Sequence, residues 1–218
     1  MRLFFEEPLV STDNRPDVDI RERTDEPVRD IARLVGTAFA DETFTRLALG
    51  KRAASQDNLT RLFELQLTDH LSRGGLIDLA YLEGELVGAA LWERPDGDRG
   101  SLKSVLSQAV DYLRLVRWRA LRSFVGQLKT DFARPNRKHW YMHLLAADPS
   151  TQGKGVGSSL LRRGLQRLKG GEPAYLESSN DGTTRLYEKF DFLTAGRIRL
   201  WPGYEIGRMW RPASASQR

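Results

Sequence analysis

The chain has 218 residues, no cysteine and three histidines, with 34 Lys and Arg against 29 Asp and Glu for a net charge of +5. This excludes disulfides, thiolate metal centres and a cysteine nucleophile; His70, His139 and His143 also lack an H-x-x-x-H spacing, so no metal is expected. At 40% hydrophobic and 29% charged the chain reads as one globular domain with a full core; no apolar run approaches the roughly 20 residues of a membrane helix, and a cytoplasmic protein is expected.

Residues 1–16 are acidic and mixed, with no secretory pattern, and read as a tail. Residues 18–23 alternate apolar and polar and predict a first strand. Thr24-Asp25-Glu26-Pro27 is a helix start, and Val28, Ile31, Ala32, Leu34, Val35, Ala38 and Phe39 form its apolar stripe. A short helix follows near 43–49. Ser55 then caps a longer one, with Leu59, Leu62, Phe63, Leu67 and Leu71 on one side and Gly74-Gly75 at its end. Residues 76–82 and 86–92 predict a hairpin around Glu83-Gly84-Glu85. Residues 101–132 are a long helical pattern, one helix or two. An apolar strand is expected over 139–147 and another over 173–178. Asn180-Asp181-Gly182 is a turn and helix cap, and 191–212 read as a closing hairpin through Trp201-Pro202-Gly203-Tyr204. The expected organisation is a single domain over 17–212 and a second tail over 213–218.

The stretch Gln152-Gly153-Lys154-Gly155-Val156-Gly157-Ser158 joins the 139–147 strand to an amphipathic helix. A strand, a glycine turn and a helix start suit phosphate, because the first N–H groups of a helix have no intrahelical partner and its dipole is positive there. A P-loop fails on spacing, since Lys154 is followed by Gly155, and a G-x-G-x-x-G fingerprint lacks its third glycine.

What fits is Gln-x-x-Gly-x-Gly, at Gln152, Gly155 and Gly157. With the preceding strand and the later Leu186-Tyr187-Glu188-Lys189-Phe190-Asp191-Phe192, it resembles the acetyl-CoA loop and the Leu-Tyr-x-x-x-Gly-Phe ending of the GCN5-related N-acetyltransferases (GNAT family). Asp191 stands where that pattern has glycine, a position that calls for left-handed φ, which Asp tolerates better than most residues. Trp140-Tyr141, Asp148-Pro149, Pro173-Ala174-Tyr175-Leu176-Glu177, Trp201 and Met209 further resemble the puromycin N-acetyltransferase-like branch.

The resemblance implies an α/β (α+β) GNAT-like fold. Its mixed, mostly antiparallel twisted sheet is flanked by helices and splayed between the strands of Leu144 and Leu176. It implies acetyl-CoA as co-substrate, held by Gln152, Gly153, Lys154, Gly155, Val156, Gly157 and Ser158, by the backbone of Leu145, Ala146 and Ala147, and by Asn180 and Tyr187. Tyr187 would protonate the leaving thiolate; without the resemblance it reads as an amphipathic core tyrosine, and Asn180 as a plain helix cap. For the base, Glu177 at the end of its strand is preferred and His143 is second; read alone, the first is a structural ion-pair partner and the second a core histidine. Period-two alternation places Tyr141, His143, Leu145 and Ala147 on one strand face.

Basic residues cluster from Arg114 through Arg117, Arg119, Arg122, Lys129, Arg134 and Arg137 to Lys138. This reads as a solvated helix face or a nucleic-acid face, with the former preferred and no nucleic-acid partner expected. The expected reaction is acetyl transfer from acetyl-CoA to a primary amine of a small molecule, antibiotic-like or xenobiotic, by direct attack in a ternary complex. Alternatives are a protein N-terminal or lysine acetyltransferase and a non-catalytic acyl-CoA-binding regulator. The 101–132 segment is expected to cap the acceptor side, in a monomer or homodimer.

Overall fold

The computed structural model describes residues 17–50, 54–97, 119–168 and 171–213. Both expected tails, apart from Ala213, lie outside them. The elements are β1 (Asp19–Glu22), α1 (Val28–Phe39), α2 (Thr43–Leu49), α3 (Gln56–Ser72), β2 (Leu76–Leu82), β3 (Glu85–Glu93), α4 (Arg119–Ala133), β4 (Trp140–Ala147), α5 (Val156–Leu165), β5 (Ala174–Ser178), α6 (Asp181–Glu188), β6 (Leu193–Trp201) and β7 (Tyr204–Arg211). A 3-10 turn at Pro149–Thr151 precedes the glycine loop.

Local chemistry accounts for the boundaries. The Ser55 side chain accepts a hydrogen bond from the Asn58 N–H, capping α3. Glu83 and Gly84 both take positive φ (52° and 85°), the two-residue turn whose twist matches the strands of a hairpin. Asp191 takes φ 65°, as its place in the motif requires.

The seven strands form one sheet in the order β1-β2-β3-β4-β5-β7-β6. Neighbours are antiparallel except β4 and β5, which run parallel. That parallel step needs a crossover, which α5 supplies. One face packs on α1, α2 and α3 through Ile31, Val35, Leu59, Leu67, Leu79 and Leu91. The other packs on α5 through Ala90, Trp92, Leu160, Leu161 and Leu176. Just beyond α5, Arg167 pairs with the fully buried Asp78 of β2 and with Glu22 of β1 at 2.9 Å, tying the crossover to the sheet.

Of the long helical pattern over 101–132, residues 119–132 fall in α4, and 101–118 lie outside the described residues together with the question of one helix or two. α4 lies on α2 and β6: Gly126 sits against Trp201 and Phe44, and Lys129 Nζ donates to the carbonyls of Arg199 (3.1 Å) and Leu200 (2.8 Å). Lys129 thus caps backbone rather than forming part of a free cationic face. One expectation changes: the alternation along β4 breaks. Leu91 pairs with Leu144 but Trp92 pairs with Met142, so His143 is an extra residue, a β-bulge. Leu145 and Ala147 consequently pack on the α5 side, whereas Leu144 and Ala146 pack on the α1 side.

Gly164 in α5 lies against the fully buried Trp92; a Cβ there would come within 2.2 Å of the indole. Gly to Ala in a helix ordinarily gains up to about 1 kcal/mol. Here overpacking decides the sign, and Gly164→Ala is expected to destabilise by roughly 1–3 kcal/mol in denaturant melts. Stabilisation would show that the α5–sheet contact is looser than described.

Candidate active site

β4 and β5 pair over only three positions, Trp140–Ala174, Tyr141–Tyr175 and Met142–Leu176. Beyond them β5 pairs only with β7, so the β5-facing edge of β4 from His143 to Ala147 has no strand partner among the described residues. The expected splay between the strands of Leu144 and Leu176 is therefore present.

The glycine loop stands at the mouth of this gap. Gly153 and Gly155 take φ 83° and 84°, and Gly155 is the α5 N-cap without a side-chain cap. The first bond of the helix runs from Ser159 N–H to Gly155 O. The N–H groups of Gly153, Gly155, Val156, Gly157 and Ser158 thus find no acceptor among the described residues. Lys154 N–H is already used, donating to Thr151 O at 3.1 Å. Gly157 lies close to Leu145 of β4 and Leu186 of α6, so loop, strand end and second helix converge. The side chains of Gln152 and Lys154 are exposed.

On the opposite side of the sheet, Glu177 of β5 meets Tyr141 of β4: the Tyr141 hydroxyl donates to Glu177 Oε2 at 2.9 Å. Burial pushes the Glu177 carboxyl up to about 7, against the opposing pull of that hydrogen bond. The Tyr175 hydroxyl stands near the same carboxylate without completing a hydrogen bond, and Glu177 Oε1 has no partner among the described residues. Burial and the Glu177 charge push the Tyr141 hydroxyl well above its ordinary value.

His143 lies edge-on to Tyr141, ring centroids 5.6 Å apart, and stacks on His70 at 6.2 Å. Burial lowers it to about 4, against the pull of the Glu93 carboxylate. Near neutrality it is an uncharged imidazole with little basicity. Both candidate bases thus share one neighbourhood, and their environments drive them in opposite directions.

Sequence patterning missed the charged residues behind them. Glu93 ends β3 buried, with Oε2 2.7 Å from Arg134 and Oε1 3.6 Å from Arg73. Arg134 follows α4 directly and stacks over the Tyr141 ring at 3.8 Å. It sits in the basic run read as a solvated face, yet its side chain is 8% exposed. The one available signal was position: Glu93 closes a buried apolar strand, and Arg134 precedes Pro135 at a helix end.

The model of the Acetyltransferase (GNAT) family matches residues 41–192, more than half of the chain. The chain belongs to the GNAT family. It is 27% identical, over 156 residues, to an uncharacterized N-acetyltransferase of Schizosaccharomyces pombe, and spans about 60% of that curated relative's length. A Corynebacterium glutamicum crystal structure, described as histone acetyltransferase HPA2 and related acetyltransferase, superposes with a TM-score of 0.68 at 27% identity, covering 92% of this chain and 99% of that one. Arylalkylamine N-acetyltransferase 2 of Aedes aegypti gives 0.62 at 15% identity, over 91% and 100% of the two chains. The putative acetyltransferase yncA of Salmonella typhimurium, solved with its cofactor acetyl-CoA, gives 0.54 at 14%, over 92% and 96%. These last two speak for the fold alone.

In this GNAT chain Tyr187 lies buried on α6, its ring against Phe192, and its hydroxyl has no hydrogen-bond partner among the described residues. Burial and the nearby Glu177 charge raise it, so it stays protonated. Asn180 serves as the helix cap: its Oδ1 accepts from Thr183 N–H at 3.0 Å while the Thr183 hydroxyl closes a capping box. Its Nδ2 donates to the Ser179 hydroxyl at 3.2 Å. Among the described residues no cluster of three potential metal ligands occurs, and no helix is long and apolar enough to cross a membrane.

The two shifted groups give opposite stability slopes. Unfolded His143 binds a proton that the folded protein rejects between about pH 4 and 6.5, so its contribution rises with pH and is lost on acidification. Folded Glu177 keeps a proton that the unfolded chain releases between 4.5 and about 7, so its contribution falls as pH rises. Urea melts from pH 4.5 to 6.5 are expected to show a slope of stability against pH that is more positive than that of the unmutated chain in Glu177→Gln and more negative in His143→Gln, over the shared background of His70 and Glu93. Slope changes of the same sign in both variants would contradict these environments.

Proposed function

We propose that this chain is an acetyl-CoA-dependent N-acetyltransferase acting on a primary amine of a small molecule, by direct attack in a ternary complex, with 17–212 as one domain. The observation that carries the reading is the open β4 edge ending at five N–H groups without an acceptor among the described residues, with the Glu177 carboxylate of raised pKa held by Tyr141 on the other face, where β4 and β5 still pair.

The residues present fit the co-substrate. The N–H groups of Gly153, Gly155, Val156, Gly157 and Ser158 offer donors to a pyrophosphate, and the left-handed φ of Gly155 turns them to one side. Gln152 and Lys154 flank the loop as exposed polar contacts. The backbone of Leu145, Ala146 and Ala147 supplies a free strand edge for an amide-bearing arm, and an N–H there is available to a developing oxyanion. Asn180 contributes through the amide hydrogens its cap leaves over. Acetyl-CoA supplies the acetyl group as an activated thioester.

Glu177 takes the amine proton, since a carboxylate with a pKa of about 7 is matched to work near neutrality. His143, at about 4, is ranked below it. Tyr187 remains a proton donor on the leaving-group side. Support for a small acceptor comes from the residues similar to the puromycin N-acetyltransferase-like branch. The Corynebacterium relative's histone-acetyltransferase description is the argument for a protein acceptor.

The test is thiol release from acetyl-CoA with aminonucleosides, aminoglycosides, arylalkylamines, polyamines and peptides. One small-amine class is expected to drive release, with kcat/KM rising with pH through about 7. Glu177→Gln is expected to lose that rise and about 100-fold or more in rate, and Tyr187→Phe to lower kcat with acetyl-CoA binding retained. Gly155→Val, strained at φ 84°, is expected to weaken acetyl-CoA binding. Release with peptides alone would move the acceptor to proteins, and absence of acetyl-CoA binding would end the proposal.

A further inference from the structure

Arg134 is buried beside the proposed base, yet the chemistry above leaves it without a task. One Nη lies 2.7 Å from Glu93 Oε2, its Nε points to His139 Nε2 at 3.4 Å, and its Cζ stands 3.8 Å from the centre of the Tyr141 ring. Tyr141 in turn donates to Glu177. A planar cation held at one edge by a carboxylate and stacked at its face on a phenol fixes the ring plane, and with it the direction of the O–H.

We propose that Arg134 is a positioning residue for the reaction: it holds Tyr141 against Glu177 and, with Glu93, sets the electrostatic field in which Glu177 accepts a proton. This rests on the assignment of Glu177 as the base.

Charged and titratable groups approach Glu177 from every side. Tyr141 and His143 come from β4, Tyr175 from β5 itself, and Tyr187 from α6. Asp131 lies in α4 with Arg134 just beyond it, Arg208 stands opposite on β7, and Glu93 of β3 lies behind Tyr141. Asp131 pushes the Glu177 carboxyl up and Arg134 pulls it down. Arg134 and Glu93 therefore act with opposite sign, because Glu93 offsets the cation it holds.

The signs test the electrostatic part of the proposal, and Arg134→Lys tests the positioning part. Arg134→Gln removes the cation and leaves Glu93 uncompensated, so ionisation of Glu177 moves to higher pH. Glu93→Gln leaves the Arg134 charge whole, so it moves to lower pH. Arg134→Lys keeps the charge but loses the planar stack, so the pH limb stays while kcat falls. Each neutral variant is expected to shift the limb by roughly half a unit to one unit.

Two readouts on the full chain are needed: the pH profile of kcat/KM, and a carbon-13 NMR titration of the Glu177 carboxyl, assigned by its loss in Glu177→Gln. Opposite shifts in the two neutral variants support the proposal. Shifts of one sign, or a Glu177 titration unmoved in both, overturn it. If Glu177→Gln keeps the wild-type limb, the base assignment has failed, and the NMR titration still decides the role of Arg134. If Arg134→Gln does not fold, the decision passes to Glu93→Gln, where an unmoved titration overturns the proposal.

Discussion

Two parallel strands that separate after three paired positions impose the conditions the rest of the molecule answers. Past Met142 and Leu176, β4 loses a neighbour and its backbone groups on that edge lose their acceptors and donors. A strand interior left unpaired is costly unless water or a ligand satisfies it. The gap persists because each strand is held from its other side, β4 by β3 and β5 by β7. The crossover helix α5, anchored by Arg167 on Asp78, closes the parallel step from one face. Its uncapped start lies where the gap opens, so free strand edge and free helix N–H groups adjoin.

The bulge at His143 gives this arrangement two distinct sides. One extra residue turns Leu145 and Ala147 toward α5, while His143 stays beside Tyr141, His70 and Glu93. Without it, alternation would carry His143 and Leu145 on one face, and apolar packing against α5 would compete with the polar row. The bulge therefore separates a side suited to holding a phosphorylated molecule from a side suited to proton chemistry.

In that polar row Tyr141, His70 and Glu93 are buried and His143 and Glu177 half-buried, and the loss of water sets its character. A carboxylate at Glu177 is disfavoured by desolvation and partly recovered by the Tyr141 hydroxyl; a protonated imidazole at His143 is disfavoured by the same effect. The cations and anions around them alternate: Arg73 and Arg134 both reach Glu93, and Arg134 covers Tyr141. A buried ion-pair network of this kind contributes little net stability compared with apolar packing.

Much of the fold was legible in local patterns. The stripe of α1, the Ser55 cap, the Glu83-Gly84 turn, the glycine loop and the left-handed Asp191 all follow from side-chain period, hydrogen-bonding capacity or permitted φ, which neighbours in sequence decide. The candidates Gln152 to Ser158 and Tyr187 were read from motif order, and Glu177 from the resemblance to the puromycin N-acetyltransferase-like branch. The burial of Glu93 and Arg134 was not, because a charged residue at a strand or helix end looks the same whether it meets water or an opposite charge from another element. Nor was the bulge, since no residue type marks an extra position in a strand. The sequence by itself determined which segments could form strands and helices and which loop could leave its N–H groups free. Only the tertiary structure decided which charges meet and which face each strand residue takes, because both depend on partners brought together from β3, α4, β4 and β5.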